Sequence, residues 1–310
     1  MKTVFFGSPA AAITSVRRLL DAGHSVELIV TQPDKPAGRG RKSAPSAVKA
    51  FALERRIPVI EPARIRTDEA ILERVRAAQP DVNVVVAYGQ IIPHAVHSLP
   101  PHRSLNVHFS LLPKYRGAAP VQWTVLNGDA ETGVTIIELN DRMDQGDILA
   151  QERVDVGPRE TALALETRLA ALGAELLVGT LERIGTIVPV RQDDTLASLA
   201  PKIGKEDRRL SWADRAETID RKVLALADRP GVFTHFGGKR INVLGGRVVE
   251  AAEKAAGPGL VLGLGKAGLT VACGGATAYM IEALQPEGKK VMSAYAFSLG
   301  VRIAAGDSLG

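Results

Sequence analysis

The first half of the chain alternates short apolar, β-branched runs with stretches of helical periodicity. Residues 3–6, 26–30 and 82–86 are predicted strands, and residues 104–107 and 133–137 continue the series. The run at 82–86 is almost wholly apolar, which is typical of a strand buried on both faces of a parallel sheet. Repetition of strand, helix and strand predicts a doubly wound, mostly parallel α/β sheet that binds ligands beyond the carboxyl ends of its strands.

The helices between these strands carry recognisable start signals. A helix is predicted over residues 46–56, with Ser46 as its N-cap because the hydroxyl can accept a bond from a free backbone N–H. Another is expected to open near Thr67, where Asp68 and Glu69 place negative charge at the positive helix end. A long amphipathic helix is predicted over residues 160–185.

The second half of the chain has a different pattern. The helical periodicity ends at Pro189, and residues 190–206 are polar and irregular, which predicts a linker. Beyond it, one helix is predicted at 216–226, followed by short strands and glycine-rich turns that favour a small, OB-like β-barrel. The predicted organisation is therefore an α/β domain over residues 1–189, a linker over 190–206 and a β-barrel over 207–310.

Composition places the chain among ordinary globular proteins. It has 310 residues, of which 45% are hydrophobic and 24% charged, enough for two domains. The single cysteine, Cys273, excludes an internal disulfide and a multi-cysteine metal site. The chain starts directly in a strand-like run, without a secretory leader, and it has no apolar stretch long enough to span a bilayer. These features predict a cytoplasmic protein that does not associate with membranes.

Positive charge is distributed unevenly. The formal net charge is +5, and residues 207–310 contribute +4 of it, with 14 basic and 10 acidic residues. The segment from Pro33 to Lys49 is also basic, and it contains two glycines among its cations. Both regions are compatible with a polyanionic partner, although surface solubility explains them equally well.

Candidate chemistry is concentrated between residues 106 and 147. Asn106 and His108 lie two residues apart at a predicted strand end, so their side chains point the same way. Asp144 precedes Gly146 in a predicted turn. Each residue alone has an ordinary structural explanation, but a doubly wound fold would bring all three to one sheet edge.

Metal and serine chemistry find little support in the sequence. His94, His97, His102 and His108 lack the spacing of known zinc-binding helices, and we expect His94 and His97 to be solvated. No G-x-S-x-G nucleophile elbow is present. The sequence therefore predicts an active site without a metal ion and gives little support to a serine nucleophile.

Residues 106–120 (NVHFSLLPKYRGAAP) resemble the signature of the methionyl-tRNA formyltransferase family. Residues 132–135 (TGVT) and 143–147 (MDQGD) continue the resemblance in the same order, as do residues 31–40 (TQPDKPAGRG) and 86–89 (VAYG). The set of Asn106, His108 and Asp144 is shared by several folate-dependent formyltransferases. The RGAAP and PAGRG segments narrow the resemblance to the enzymes that act on tRNA, and it extends over nearly the whole chain.

The resemblance implies a cytoplasmic, bacterial-type enzyme of translation initiation, expected to be a monomer. It would transfer the formyl group of 10-formyltetrahydrofolate to the amine of initiator methionyl-tRNA through a tetrahedral intermediate. It implies Asn106, His108 and Asp144 as catalytic residues, and a β-barrel domain that binds tRNA. The implied folate loop consists of Ser110, Leu111, Leu112 and Pro113, and the expected tRNA contacts are Arg39, Arg41 and Lys42.

The sequence departs from the family pattern in a few places. Phe109 stands where a small residue is usual, at the expected edge of the folate pocket, and Arg229 lies where a tryptophan is usual. Two other functions share part of the pattern: formyl transfer to a sugar-nucleotide amine and non-catalytic RNA binding. A basic loop distinguishes the tRNA enzyme from the sugar enzyme, and a complete catalytic set argues against pure binding.

Overall fold

The computed structural model describes residues 1–37, 42–250 and 257–310, which fall into two compact units. The first unit comprises Met1–Pro120, Glu131–Val156 and Leu165–Pro201; the second comprises Val121–Ala130, Gly157–Ala164 and Lys202–Gly310.

The first unit is built around a seven-stranded sheet within the described residues, in the order β5-β2-β1-β6-β7-β8-β9. Strands β5, β2, β1, β6 and β7 run parallel, and β8 and β9 are antiparallel to their neighbours. A separate pair, β3 and β4, is antiparallel. The strands are β1 (Lys2–Gly7), β2 (Ser25–Val30), β3 (Lys35–Ala37), β4 (Lys42–Ala44), β5 (Val59–Ile60), β6 (Val82–Val86), β7 (Ser104–His108), β8 (Glu131–Glu138) and β9 (Ile148–Asp155).

The helices predicted over residues 46–56, from about residue 67, over 160–185 and over 216–226 are present, and some further helices were not predicted. The helices are α1 (Ala10–Asp21), α2 (Ala47–Glu54), α3 (Glu69–Ala77), α4 (His94–His97), α5 (Pro120–Asn127), α6 (Ala162–Glu182), α7 (Ala216–Leu226) and α8 (Ala294–Val301). No helix in the described part of the chain combines the length and apolarity needed to cross a membrane.

The centre of the sheet is the core of the first unit. All five residues of β6 are buried, and five of the six residues of β1 are buried. Apolar side chains from α3, such as Ile71 and Val75, pack with Val4 and Phe6 of β1. This burial accounts for the near-continuous apolar runs in the sequence, and the predicted doubly wound, mostly parallel sheet is confirmed.

The second unit contains an antiparallel sheet in the order β10-β11-β14-β13-β12, with β15 paired to β14. This agrees with the predicted barrel-like domain of short strands. The strands are β10 (Val232–Phe236), β11 (Lys239–Val249), β12 (Val261–Gly265), β13 (Gly268–Cys273), β14 (Thr277–Pro286) and β15 (Met292–Ser293).

Residues 190–200, predicted as the start of a linker, form hydrogen bonds within the first unit. Val190 and Ile148 exchange backbone hydrogen bonds, each of 2.8 Å. Arg116 donates its N–H to the Ser198 carbonyl at 2.9 Å and accepts from the Ala200 N–H at 2.8 Å. The division of the chain at residues 189 and 207 stays a prediction about its functional domains.

Ser46 caps α2 as expected. Its hydroxyl oxygen accepts the Lys49 N–H at 3.0 Å and lies 2.7 Å from the Thr31 hydroxyl. We expect Ser46→Ala to lower the free energy of unfolding by about 0.5–2 kcal/mol, the usual range for a lost cap. Denaturant unfolding measures this, with Ser211→Ala at an exposed position as control. Equal stability of the two variants would contradict the capping role.

Candidate active site

Strand β7 presents two polar side chains on one face near its carboxyl end. Asn106 is 9% exposed and His108 is 6% exposed. The strand lies between β6 and β8, so both side chains are enclosed although they lie close to the sheet edge. Alternation along a strand explains why the two residues share a face, as their spacing predicted.

The loop between β8 and β9 brings Asp144 to these two residues. The Asn106 amide Nδ2 donates to Asp144 Oδ1 at 3.3 Å, and His108 Nδ1 lies 3.7 Å from the same oxygen. The other carboxylate oxygen, Oδ2, accepts the backbone N–H of Gly117 at 2.8 Å. The structure therefore brings together an amide, an imidazole and a carboxylate, which were the three predicted catalytic groups.

The environment of His108 fixes which ring nitrogen faces the carboxylate. Nε2 lies 2.9 Å from the backbone carbonyl oxygen of Tyr115. A carbonyl can only accept a hydrogen bond, so Nε2 carries a proton in either charge state of the ring. Nδ1 is consequently the nitrogen that faces Asp144. Their 3.7 Å separation is an ion-pair distance and too long for a direct hydrogen bond.

Three residues around the site have backbone conformations with positive φ. Asp144 has φ of 55° and Tyr115 has φ of 64°, which side-chain-bearing residues rarely adopt. Gly117 has φ of 133°, and a Cβ there would lie 2.5 Å from the Ala200 carbonyl oxygen. Such conformations are concentrated at functional sites, because the surrounding structure must hold them in place.

The four residues predicted to form the folate loop follow β7 directly. Ser110 is fully buried, and its hydroxyl donates to the Lys114 carbonyl at 2.6 Å. Leu112 is 3% exposed, whereas Leu111 and Pro113 are half-buried. The Ser110 and Leu112 side chains are therefore engaged within the protein, so a ligand of this loop would meet mainly backbone groups.

Thr135 anchors that loop and was not assigned a role from the sequence. Its hydroxyl donates to the Ser110 carbonyl at 2.6 Å and accepts the Leu112 N–H at 3.1 Å. Gln151 adds bonds from Nε2 to the Thr135 hydroxyl at 2.8 Å and to the Leu112 carbonyl at 3.0 Å. A polar residue such as Thr135 within an apolar strand could have indicated a role in holding a loop. The sequence does not show which groups it binds, because they are backbone groups of Ser110 and Leu112.

One of the two histidines of α4 differs from expectation, whereas His94 is exposed as expected. His97 was expected to be solvated, but its side chain is 4% exposed, and its Nε2 lies 3.1 Å from Asp141 Oδ1. His94 Nδ1 lies 3.4 Å from the same oxygen. The hydrogen bond from His97 lowers the pKa of the Asp141 carboxyl, and the charge of His94 adds to the effect. His97 is buried because α4 packs against the unit, which its proline-flanked sequence did not indicate.

His94, His97 and Asp141 form a cluster whose possible metal-ligand atoms lie within 4.8 Å of one another, which is close enough to hold a metal ion. However, the buried His97 Nδ1 has no hydrogen-bond partner among the described residues. A metal-bound imidazole normally donates its second N–H to an acceptor. The arrangement thus fits a hydrogen-bonded cluster better than a metal centre.

The basic segment is described only in part. Arg39 and Arg41 lie outside the described residues, and Lys42 begins β4. Lys49 forms 2.7 Å ion pairs with Asp34 and Glu61. The hydrogen bond from Lys49 lowers the pKa of the Asp34 carboxyl. Lys49 is therefore neutralised locally and is a poor candidate for contacting a separate anion.

The sequence departure at Phe109 has a structural explanation. The side chain is 7% exposed, and a Cβ added at Gly173 of α6 would lie 3.5 Å from its ring. Phe109 is therefore buried close to α6, and its effect on the folate pocket edge stays a prediction. Nothing in the structure explains the choice of arginine at position 229.

Comparison with known proteins identifies relatives over both parts of the chain. Residues 1–181 match the "Formyl transferase" family model, and residues 202–302 match "Formyl transferase, C-terminal domain". The chain is 44% identical to a methionyl-tRNA formyltransferase of Solibacter usitatus and 39% identical to one of Geobacter metallireducens. Each alignment covers 100% of this chain and 99% of the relative.

A solved structure, HypX from Aquifex aeolicus in complex with tetrahydrofolic acid, has the same fold. It superposes with a TM-score of 0.69 at 18% identity, covering 96% of this chain and 47% of that chain.

Proposed function

The chain belongs to the formyl transferase family, among its methionyl-tRNA formyltransferases, and from this premise we propose that it formylates the α-amino group of methionyl initiator tRNA. The donor is 10-formyltetrahydrofolate, a substrate that supplies the formyl carbon. The observation that carries the proposal is that the Asn106 amide and the His108 imidazole both lie close to one carboxylate oxygen of Asp144.

Formyl transfer to an amine requires stabilisation of a developing oxyanion. As the amine attacks the formyl carbon, negative charge accumulates on the formyl oxygen of the tetrahedral intermediate. The Asn106 amide has a second hydrogen that its bond to Asp144 does not use. His108 can supply the other donor only from Nδ1, since Nε2–H is engaged by Tyr115. No covalent enzyme adduct is needed.

During transfer the amine loses a proton, and collapse of the intermediate breaks the bond between the formyl carbon and the folate nitrogen, which takes up a proton and leaves as tetrahydrofolate. Asp144 is suited to accept the amine proton, directly or through water, because the carboxylate is held by Gly117 and Asn106 beside His108. The same carboxylate lies 3.7 Å from His108 Nδ1, where it can orient the imidazole. One group thereby takes part in both proton removal and charge stabilisation.

A planar pterin is compatible with the loop at residues 110–113. The loop backbone is braced by Thr135 and Gln151, so it is held rigidly beside β7. Rigid backbone N–H and C=O groups orient a planar, hydrogen-bonding ring without side-chain contacts. We propose that Ser110, Leu111, Leu112 and Pro113 contribute to the folate site mainly in this way.

The proposed function can be tested with labelled donor and several acceptors. Charged initiator tRNA should be formylated, and a UDP-amino sugar should not. The folate-dependent sugar enzymes share the catalytic set, so transfer to the sugar instead would redirect the assignment. Transfer to neither acceptor would refute formyl transfer as the activity. Charged elongator methionyl-tRNA, included as a third acceptor, measures discrimination between tRNAs.

The tRNA is proposed to contact two positively charged regions. Residues 207–310 carry a net charge of +4 and would act as an electrostatic platform. The segment from Pro33 to Lys49 follows β2, whose carboxyl end lies at the same sheet edge as that of β7. We further propose that the enzyme acts as a monomer in the cytoplasm.

Replacing Arg39, Arg41 and Lys42 together with alanine should weaken tRNA binding and reduce its salt dependence. Each lost phosphate contact should reduce the slope of log affinity against log salt by about 0.7–0.9, because fewer counterions are released. Fluorescence binding titrations at several salt concentrations measure the slope. Affinity for the folate donor should remain unchanged.

A matched control removes three cations elsewhere. Arg66, Arg74 and Arg76 are exposed residues in or next to α3, and their replacement by alanine changes the net charge equally. This control should keep the wild-type salt slope. An unchanged slope in the Arg39, Arg41 and Lys42 variant would indicate an ordinary solvated loop.

A further inference from the structure

A buried glutamine lies behind the loop that carries Asp144. Gln192 is 6% exposed, and its Nε2 donates to the backbone carbonyls of Asp144 at 2.9 Å and Gly146 at 2.7 Å. One amide group therefore binds the backbone on both sides of the turn. Both hydrogens of the amide are used, so the side chain can adopt only one orientation.

Arg116 fixes the other end of this glutamine. Its Nε and Nη2 donate to Gln192 Oε1 at 3.0 Å and 2.8 Å, and the guanidinium is buried. Nη2 also donates to Asp194 Oδ1 at 2.8 Å, so the buried charge is paired. Hydrogen bonds from a charged guanidinium are stronger than those between neutral groups, and here two of them meet at the same Gln192 oxygen.

The same arginine is connected to the carboxylate through its neighbour in the chain. The backbone N–H of Gly117, the next residue, donates to Asp144 Oδ2 at 2.8 Å. Gln192 thus holds the Asp144 backbone, and Arg116 is adjacent in the chain to Gly117, whose N–H binds the Asp144 carboxylate. Asp144 has positive φ, a conformation disfavoured without such support.

We propose that the Arg116–Gln192 pair positions Asp144 for formyl transfer, with Gln192 as a positioning residue that does not touch the substrate. This rests on the proposed function, because the positioned carboxylate matters only if Asp144 takes part in transfer. The pair fixes the left-handed Asp144 backbone and so determines where the carboxylate meets Asn106 and His108.

Two Gln192 variants test the proposal. Gln192→Ala removes the bonds, and the isosteric Gln192→Glu keeps the acceptor for Arg116 while losing both donors. We expect each variant to lower kcat at least about 10-fold, with the KM of either substrate changed less than about 3-fold. A fall in kcat without a comparable change in KM indicates that alignment in the transition state is lost, and not substrate binding. Gln192→Glu preserves the side-chain volume and covers the case in which Gln192→Ala does not fold.

A double-mutant cycle with Asp144→Asn separates positioning from a general structural role. If Gln192 acts through Asp144, adding Gln192→Ala to Asp144→Asn should lower kcat less than about 2-fold further. Asn83→Ala is the matched control, since this buried amide donates to the Val96 carbonyl and the Ser104 hydroxyl in the same unit. It should lower the melting temperature yet leave kcat within about 2-fold.

Hydrogen exchange of residues 140–147 gives a readout that does not depend on activity. Exchange there should be faster in both Gln192 variants than in the wild type and in Asn83→Ala. Unchanged exchange, a KM effect without a kcat effect, or full additivity with Asp144→Asn would overturn the positioning role. If exchange is faster in the Gln192 variants but the wild type shows no formyl transfer, then Gln192 does hold the Asp144 loop and it is the proposed function that fails.

Discussion

Asn106→Ala is expected to lower kcat by about 100-fold or more, with little change in the KM of either substrate. The loss of one preformed oxyanion donor has this magnitude in other acyl-transfer enzymes. The contact strengthens mainly in the transition state, so substrate binding should be nearly unaffected. Steady-state formylation of charged initiator tRNA measures both parameters.

His108→Ala and Asp144→Asn should be comparably severe. His108 supplies its donor from Nδ1, the nitrogen that faces the carboxylate, because Nε2–H is bonded to Tyr115. Asp144→Asn keeps the side-chain shape but cannot accept the amine proton. Its pH–rate profile should differ from that of the wild type, because the variant has no carboxylate to accept the amine proton.

Folding of these variants must be confirmed for the comparison to be decisive. The control is Asn83→Ala, which removes a buried amide from β6, next to β7 in the sheet. That variant should retain kcat within about 2-fold while losing stability. Near-normal turnover in folded Asn106, His108 and Asp144 variants would refute the assignment of these residues.

The parts of the fold predicted from sequence are those with a strong hydrophobic signal. Strand β6 is buried throughout, and its apolar run predicted this directly. Strand β9 was not predicted, because Ile148–Asp155 is the last strand in the sheet order and all of its residues are exposed or half-buried. An exposed edge strand has a polar sequence that hydrophobic periodicity does not detect.

The candidate site shows a similar division. The spacing of Asn106 and His108 predicted a shared face, and the doubly wound fold predicted that Asp144 would reach the same sheet edge. The backbone groups of Tyr115 and Gly117 were not predicted, since any residue type offers a carbonyl or an N–H. Gln192 lay in a segment that appeared to be a linker because its composition is polar. Its role depends on backbone pairing between residues 115–119 and 198–200, which leaves no pattern in the sequence.

Gly146→Ala is expected to remove most of the activity by displacing the Asp144 loop. A Cβ at this position would lie 1.6 Å from the Glu138 carbonyl oxygen. The backbone at residue 146 and the backbone at Glu138 would have to move apart to relieve this clash. The loop would move off β8, carrying Asp144 with it. We expect kcat to fall at least about 100-fold, as for loss of the carboxylate itself, and stability to fall by about 1–3 kcal/mol.

Gly179→Ala is the matched control for this prediction. Gly179 lies in α6, and a Cβ added there meets nothing within 4 Å. Alanine is favoured over glycine inside a helix, so this variant should gain about 0.5–1 kcal/mol and keep its activity. Denaturant unfolding and formylation rates, measured for both variants, test the comparison. If Gly146→Ala retained kcat within a few-fold, close seating of the loop on β8 would not be what positions Asp144. The carboxylate would then have to be aligned by its bonds to Gly117 and Asn106 and by the hydrogen bond from Gln192 to the Asp144 carbonyl.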